Sequence, residues 1–265
     1  MLRARILTAL ILAPLVVSAL YFLPLPAYAL FFWLFAAAAA YEWAGLARIG
    51  STLGRVAYLT ALAVLALVTW QLPEYWVMVL WLAAIFWLLA AAAVVAYPRS
   101  GPIVSHPLVI IPAGLLVTWA AWLAFVVVRD QPGGATWVLW LLLLVWSADI
   151  GAYFAGRRFG RRKLAPRVSP GKTWEGFAGG MLASLVVTLA MLVPMGAVAW
   201  WWVPVVVLLA VLSVFGDLFE SVLKRQRGVK DSGTLLPGHG GVLDRIDSLV
   251  AVLPVFALVL ADRVT

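Results

Sequence analysis

The sequence predicts an all-α, polytopic integral membrane protein of about nine transmembrane helices with its N-terminus in the cytoplasm. Three observations lead there. Of 265 residues, 65% are hydrophobic and 11% charged, against roughly 25% charged in an ordinary soluble domain, too few polar residues to cover a water-facing globule. Apolar stretches near the length needed to cross a hydrocarbon core, about 20 residues, recur along the whole chain. Lys and Arg fall almost entirely between alternate pairs of these stretches, as the positive-inside rule requires.

The nine stretches run over residues 6–23, 27–43, 56–70, 75–97, 107–128, 136–154, 174–193, 198–217 and 246–261. The pair 27–43 and 56–70 is short enough that a re-entrant hairpin would read the same way. With the N-terminus inside, seventeen of the nineteen Lys and Arg share the cytoplasmic side, and only Arg129 and Arg263 lie opposite; nine spans put the C-terminus outside. The first 29 residues also read as a signal peptide, with Arg3 and Arg5 ahead of an apolar run and Ala27-Tyr28-Ala29 at its end. The length of that run favours an anchor. Residues 1–135 then hold the N-terminal series of apolar helices, and residues 136–265 hold the remaining spans with two polar cytoplasmic loops, 155–173 and 218–245.

With no cysteine and two histidines, the chain has no disulfide framework and no thiolate metal site, so a metal would be held mainly by oxygen. The formal net charge of +8, concentrated in loops, suits anionic lipid headgroups or a polyphosphate substrate. No nucleic-acid partner is expected. The 15 Trp fit interfacial belts and lipid-facing packing.

Burying an ionised carboxylate in a membrane costs roughly 2.5–3.5 kcal/mol even on insertion scales, so the acids near span ends point to function. Asp217 ends the eighth stretch, with Ser221 and Lys224 following at helical spacing. Asp244 and Asp247 share a face at the start of the ninth. If these helices are antiparallel neighbours, the carboxylates cluster and invite a divalent cation. Magnesium, which takes one or two protein carboxylates and completes its shell with water and phosphate oxygens, suits them.

Between these helices runs Pro237-Gly238-His239-Gly240-Gly241, whose glycines allow backbone N–H groups to converge on an anion. Lys224, Arg225, Lys230 and Arg245 surround it. Each feature alone has a plain structural reading; their concentration in residues 217–247 describes a nucleoside triphosphate site.

In the other polar loop, Ser169-Pro170-Gly171-Lys172-Thr173 looks like a P-loop but lacks its first glycine, whose position is Pro166. It reads as a tight turn presenting Lys172 and the next helix N-terminus to a phosphate, or simply as a helix cap. Asp149, with Tyr153, Arg157 and Arg158 after it, reads as a supporting group or a substrate ligand. Glu42 reads as an interfacial residue without a catalytic role, so Glu42→Gln should leave most activity.

The stretch Ser221–Asp247, SVLKRQRGVKDSGTLLPGHGGVLDRID, resembles the signature of the phosphatidate cytidylyltransferase (CDP-diacylglycerol synthase) family without departure, and Asp149–Gly180 resembles that family's other cytoplasmic stretch. The resemblance implies an enzyme of the cell inner (cytoplasmic) membrane whose site faces the cytoplasm. Its substrates would be CTP and phosphatidic acid, and its products CDP-diacylglycerol and pyrophosphate. It implies Asp217 and Asp244 as the metal-bridging pair, with Asp247 and Asp231 in support. Lys224, Arg225, Lys230, His239 and Arg245 would hold phosphates. Ser169 and Lys172 would approach from the other loop, and Ser221, Gly238, Gly240 and Gly241 would line the nucleotide site. It implies Mg2+ dependence and a homodimer among membrane lipids, and leaves a second, monovalent cation open. A transporter with Asp149 and Glu42 as coupling groups, a CTP-dependent lipid kinase and a related cytidylyltransferase are the alternatives. The Asp-Gly…Ala-Arg signature of CDP-alcohol phosphotransferases is absent.

Overall fold

The computed structural model of the protein describes residues 2–194, 196, 199–236, 238 and 240–261. Its long helices follow the apolar stretches: α1 (Leu2–Phe22), α2 (Leu25–Leu46), α3 (Thr52–Gln71), α4 (Trp76–Val95), α6 (Pro107–Asp130), α7 (Gly134–Phe159), α8 (Trp174–Leu192), α9 (Trp202–Arg227) and α10 (Leu243–Ala261), with a short α5 (Gly101–Val104) between α4 and α6. Among the described residues, seven helices are long and apolar enough to cross a membrane: α2, α3, α4 with the 3-10 turn before it, α6, α7, α8 and α9. The protein is therefore a nearly all-α, polytopic membrane protein. At 22 and 20 residues, α2 and α3 are long enough to span at 1.5 Å per residue. In α1 the apolar helix Leu10–Phe22 is shorter.

Helix α10 is different. Asp244, Arg245 and Asp247 occupy its first turns, and from Ser248 to Leu253 every side chain is buried. It packs on α9, α6, α4, α2 and α7. The stretch expected to be the ninth span is thus a helix enclosed by the others, and its apolar part is short enough to need protein around it. The outward faces of α3 and α4 expose Leu53, Val64, Leu67, Leu88 and Leu89, as lipid contact demands.

Helices α7 and α8 approach closely through small residues: a methyl group at Gly179 would collide with Ala155, and one at Gly151 with the α8 backbone at Gly179. Between them the polar segment 155–173 is ordered. The last turn of α7 covers 155–159, and β1 (Lys163–Ala165) pairs antiparallel with β2 (Ser169–Thr173). Two short strands were not foreseen in an all-α reading. Glu175, in the first turn of α8, accepts the N–H groups of Arg161 (3.0 Å) and Arg162 (3.2 Å) and ties the hairpin's start to the helix. Thr173 caps α8 by accepting Gly176 N–H at 3.1 Å. The Ser169–Thr173 segment is therefore a strand that ends in a helix cap, rather than an isolated turn. His106 caps α6 through Nδ1, which accepts Leu108 N–H at 3.3 Å.

Candidate active site

Helix α9 does not stop at Asp217. Leu218, Phe219, Val222 and Leu223 are buried, and this helical periodicity carries the chain on to Arg227, where Gly228 terminates it at φ 71°. The expected loop 218–245 thus begins only after Arg227. Asp217 lies along a helix, where Ser221 one turn on donates its hydroxyl to Oδ1 at 3.3 Å. From the hairpin, Lys172 places Nζ 2.6 Å from Asp217 Oδ2. Arg225 donates to the Val168 carbonyl at 3.3 Å, a second tie between α9 and the hairpin.

At the other carboxylate, Asp244 accepts Ser232 N–H at 3.0 Å and Gly241 N–H at 2.8 Å. Lys224 Nζ lies 2.7 Å from Asp244 Oδ1 and 2.6 Å from Glu220 Oε2. These side chains are well enclosed, with exposures of 15% for Lys224, 3% for Glu220 and 6% for Asp244. Lys224 is thereby shared between two buried anions. The glycine stretch serves this arrangement: Leu236 N–H bonds Gly240 O at 3.0 Å, and Gly238 and Gly240 adopt φ of 76° and 84°, which residues with a Cβ rarely adopt. The Gly241 N–H, expected to await an anion from outside, is occupied by Asp244.

Glu42 is enclosed by protein and is not a solvated bystander. It is 3% exposed, and its carboxylate accepts Val242 N–H (3.0 Å), Leu243 N–H (2.8 Å) and the Ser232 hydroxyl (3.3 Å). An acid near the end of an alanine-rich apolar helix carried a cost that needed repayment; that was the signal, and the interfacial reading overlooked it.

Two cavities meet here. One, of about 640 Å³, runs between α7, the hairpin, α8 and α9, and is bordered by Tyr153, Ser169, Gly171, Lys172 and Asp217. The other, of about 470 Å³, is largely apolar and lies among α1, α2, α6, α7 and α10, with Phe32, Ala36, Ala121, Trp122 and Leu253 in its wall. Asp149, Asp244, Arg245 and Asp247 border both.

The structure thus brings together Asp217, Asp244, Asp247, Arg245, Lys172, Ser169, Ser221 and Lys224, with Asp149 among them as a supporting group, and adds Glu220 and Glu42. Lys230 and Asp231 are exposed on the loop after α9, with Asp231 beside Gly240. His239 lies outside the described residues. Among those described, no three His, Asp or Glu side chains converge as a complete metal cage. Glu220 was legible in principle, since it precedes Lys224 by one helical turn.

A profile of the cytidylyltransferase family matches residues 3–261, nearly the full chain. The chain belongs to the cytidylyltransferase family. Among its relatives in that family is a phosphatidate cytidylyltransferase of Pseudomonas aeruginosa, 46% identical over 271 residues that cover 98% of this chain and 97% of the relative. Another, from Haemophilus influenzae, is 43% identical and covers 66% of this chain and 65% of its own. A third, from Brucella suis, is 48% identical over 57% of each.

Proposed function

We propose that the protein is a phosphatidate cytidylyltransferase, transferring CMP from CTP to phosphatidic acid to give CDP-diacylglycerol and pyrophosphate. The observation that carries this reading is the common rim of Asp149, Asp244, Arg245 and Asp247, with the more polar of the two cavities, bordered by Lys172 and Asp217, on one side and the more apolar one on the other. CTP occupies the polar cavity, acyl chains the apolar one, and the two reacting phosphates meet between them.

A phosphate oxygen of phosphatidic acid forms a bond to the α-phosphorus of CTP as the bond to the β-phosphate oxygen breaks; the electron pair leaves with pyrophosphate. The nucleophile is already ionised near neutral pH, so the protein's task is alignment and neutralisation of charge. Lys172 and Arg245 face the polar cavity and hold phosphate oxygens. Arg225, Lys230 and, by the family resemblance, His239 serve the pyrophosphate side.

Magnesium fits the residues present. Asp217 and Asp244 each set a carboxylate oxygen against an ammonium group, so both are arranged to face positive charge, and the donors are oxygen throughout. Two carboxylates without a closed cage suit an ion that shares substrate phosphate oxygens. Bound there, it would offset charge on the triphosphate. We further propose that the N-terminus and the site face the cytoplasm of a bacterial inner membrane, on the strength of the Lys and Arg distribution, and that the protein is a homodimer, as the resemblance implies. Residues 1–135 supply about half of the apolar groove's wall, and residues 136–265 supply the other half together with the charged rim.

The test is conversion of radiolabelled CTP to a chloroform-soluble product by purified protein in detergent. A labelled lipid that requires both phosphatidic acid and magnesium is the expected result. No product from folded protein with both present overturns the reading.

A further inference from the structure

We infer that Glu42, on the N-terminal helix α2, is a positioning residue of the active site, setting the place of Asp244 through the loop 232–243. The inference rests on the reading of Asp244 as a metal- and phosphate-facing carboxylate.

Helical electrostatics do not favour Glu42 where it is. It lies four residues from the end of α2 at Leu46, where the carbonyl end of the macrodipole disfavours a negative charge. Its surroundings compensate. Val242 and Leu243, at the entry to α10, direct their N–H groups onto its two oxygens at 3.0 and 2.8 Å. The carboxylate therefore sits at the positive end of α10, doing from another helix what a capping side chain does locally. Gly233 and Gly241 pack so close that a methyl group on either would strike the Glu42 side chain.

The link to Asp244 runs through Ser232. Its hydroxyl donates to Glu42 at 3.3 Å, while its N–H donates to Asp244 at 3.0 Å. Gly241, whose N–H holds Asp244 at 2.8 Å, immediately precedes the two residues that Glu42 holds. Both backbone donors that orient Asp244 are thus fixed by one buried carboxylate. Trp43, the next residue, anchors this part of α2 by donating Nε1–H to the Ile110 carbonyl of α6 at 2.8 Å, so the anchor point is stiff. Buried charge-assisted hydrogen bonds of this kind are strong and geometrically demanding, and a reacting centre tolerates little misplacement.

Glu42→Gln, Glu42→Asp and Ser232→Ala would be compared in detergent-purified protein. The expected result for Glu42→Gln is a tenfold or greater fall in kcat with the KM for CTP within threefold of wild type. The magnesium concentration that half-maximally raises the melting midpoint should increase, and backbone hydrogen exchange across 232–246 should quicken while α6 stays protected. Glu42→Asp, which keeps the charge, should recover part of the turnover, and Ser232→Ala should shift the same quantities by less. Wild-type kcat and magnesium response in Glu42→Gln would overturn the inference. Should that variant fail to fold, unchanged kcat and exchange in Ser232→Ala would overturn it equally. Asp244→Asn separates the two levels: if it stays active, the reading of the site fails, whereas an inactive Asp244→Asn beside a normal Glu42→Gln defeats only the role of Glu42.

Discussion

Lys224→Met isolates the balance of charge at the centre of the site. The lysine ammonium lies 2.6 Å from Glu220 and 2.7 Å from Asp244, and all three side chains are nearly withdrawn from solvent. Removing one partner from such a buried ionic group leaves uncompensated charge and costs roughly 3–5 kcal/mol. Asp244 keeps two backbone N–H donors. Glu220 meets Lys224 at Oε2, and its Oε1 has no hydrogen-bond partner among the described residues. Most of the penalty should therefore fall on Glu220. At roughly 2–4 °C per kcal/mol for a chain of this size, the melting midpoint in detergent should drop by about 6–20 °C. Adding Glu220→Gln to Lys224→Met removes the stranded charge and should recover at least half of the lost midpoint. Turnover should remain low in both, because Asp244 still lacks its cation. A Lys224→Met protein as stable as wild type, or a double variant less stable than the single, would refute the assignment of Glu220 as the group that Lys224 neutralises.

Three further outcomes are expected. Asp217→Asn should lower turnover by at least a hundredfold while the melting midpoint stays within a few degrees, and Asp244→Asn should lower turnover as much in protein that still folds but melts earlier, as read by the labelled-CTP assay and a thermal ramp on the same sample. Ala121→Phe, which fills the wall of the apolar cavity, should raise the KM for long-chain phosphatidic acid several-fold and leave the KM for CTP unchanged; an equal rise in both would place the acyl chains elsewhere. Gly179→Val forces a branched side chain against Ala155 and should destabilise the α7–α8 pair by about 1–3 kcal/mol, seen as a lowered melting midpoint.

The helices were legible because apolar runs of membrane length leave little alternative, and the acids at 217, 244 and 247 stood out because charge is scarce in such a chain. What the sequence hid was where helices stop and what they touch. The buried face of Leu218, Phe219, Val222 and Leu223 continues α9 past the expected end, yet those residues sit among enough polar ones to look like a loop. Glu42 is some 190–200 positions from its partners in the chain, and no local pattern reports a contact of that range. Glycines 240 and 241 announced an unusual backbone, but a turn that orients a neighbouring carboxylate and a nest for a ligand have the same composition. In the hairpin, Lys163–Ala165 and Ser169–Thr173 are too short and too polar to display strand alternation.

The meeting of two cavities at one rim also bears on how turnover ends. On the proposed reaction, pyrophosphate is confined to the polar side and can depart into water, while the lipid product is the one species that must straddle both compartments. Its cytidine head has to withdraw past Asp149, Asp244, Arg245 and Asp247 before the molecule can escape sideways into the bilayer. The two products of that reaction therefore leave by different routes, one into water and the other into lipid.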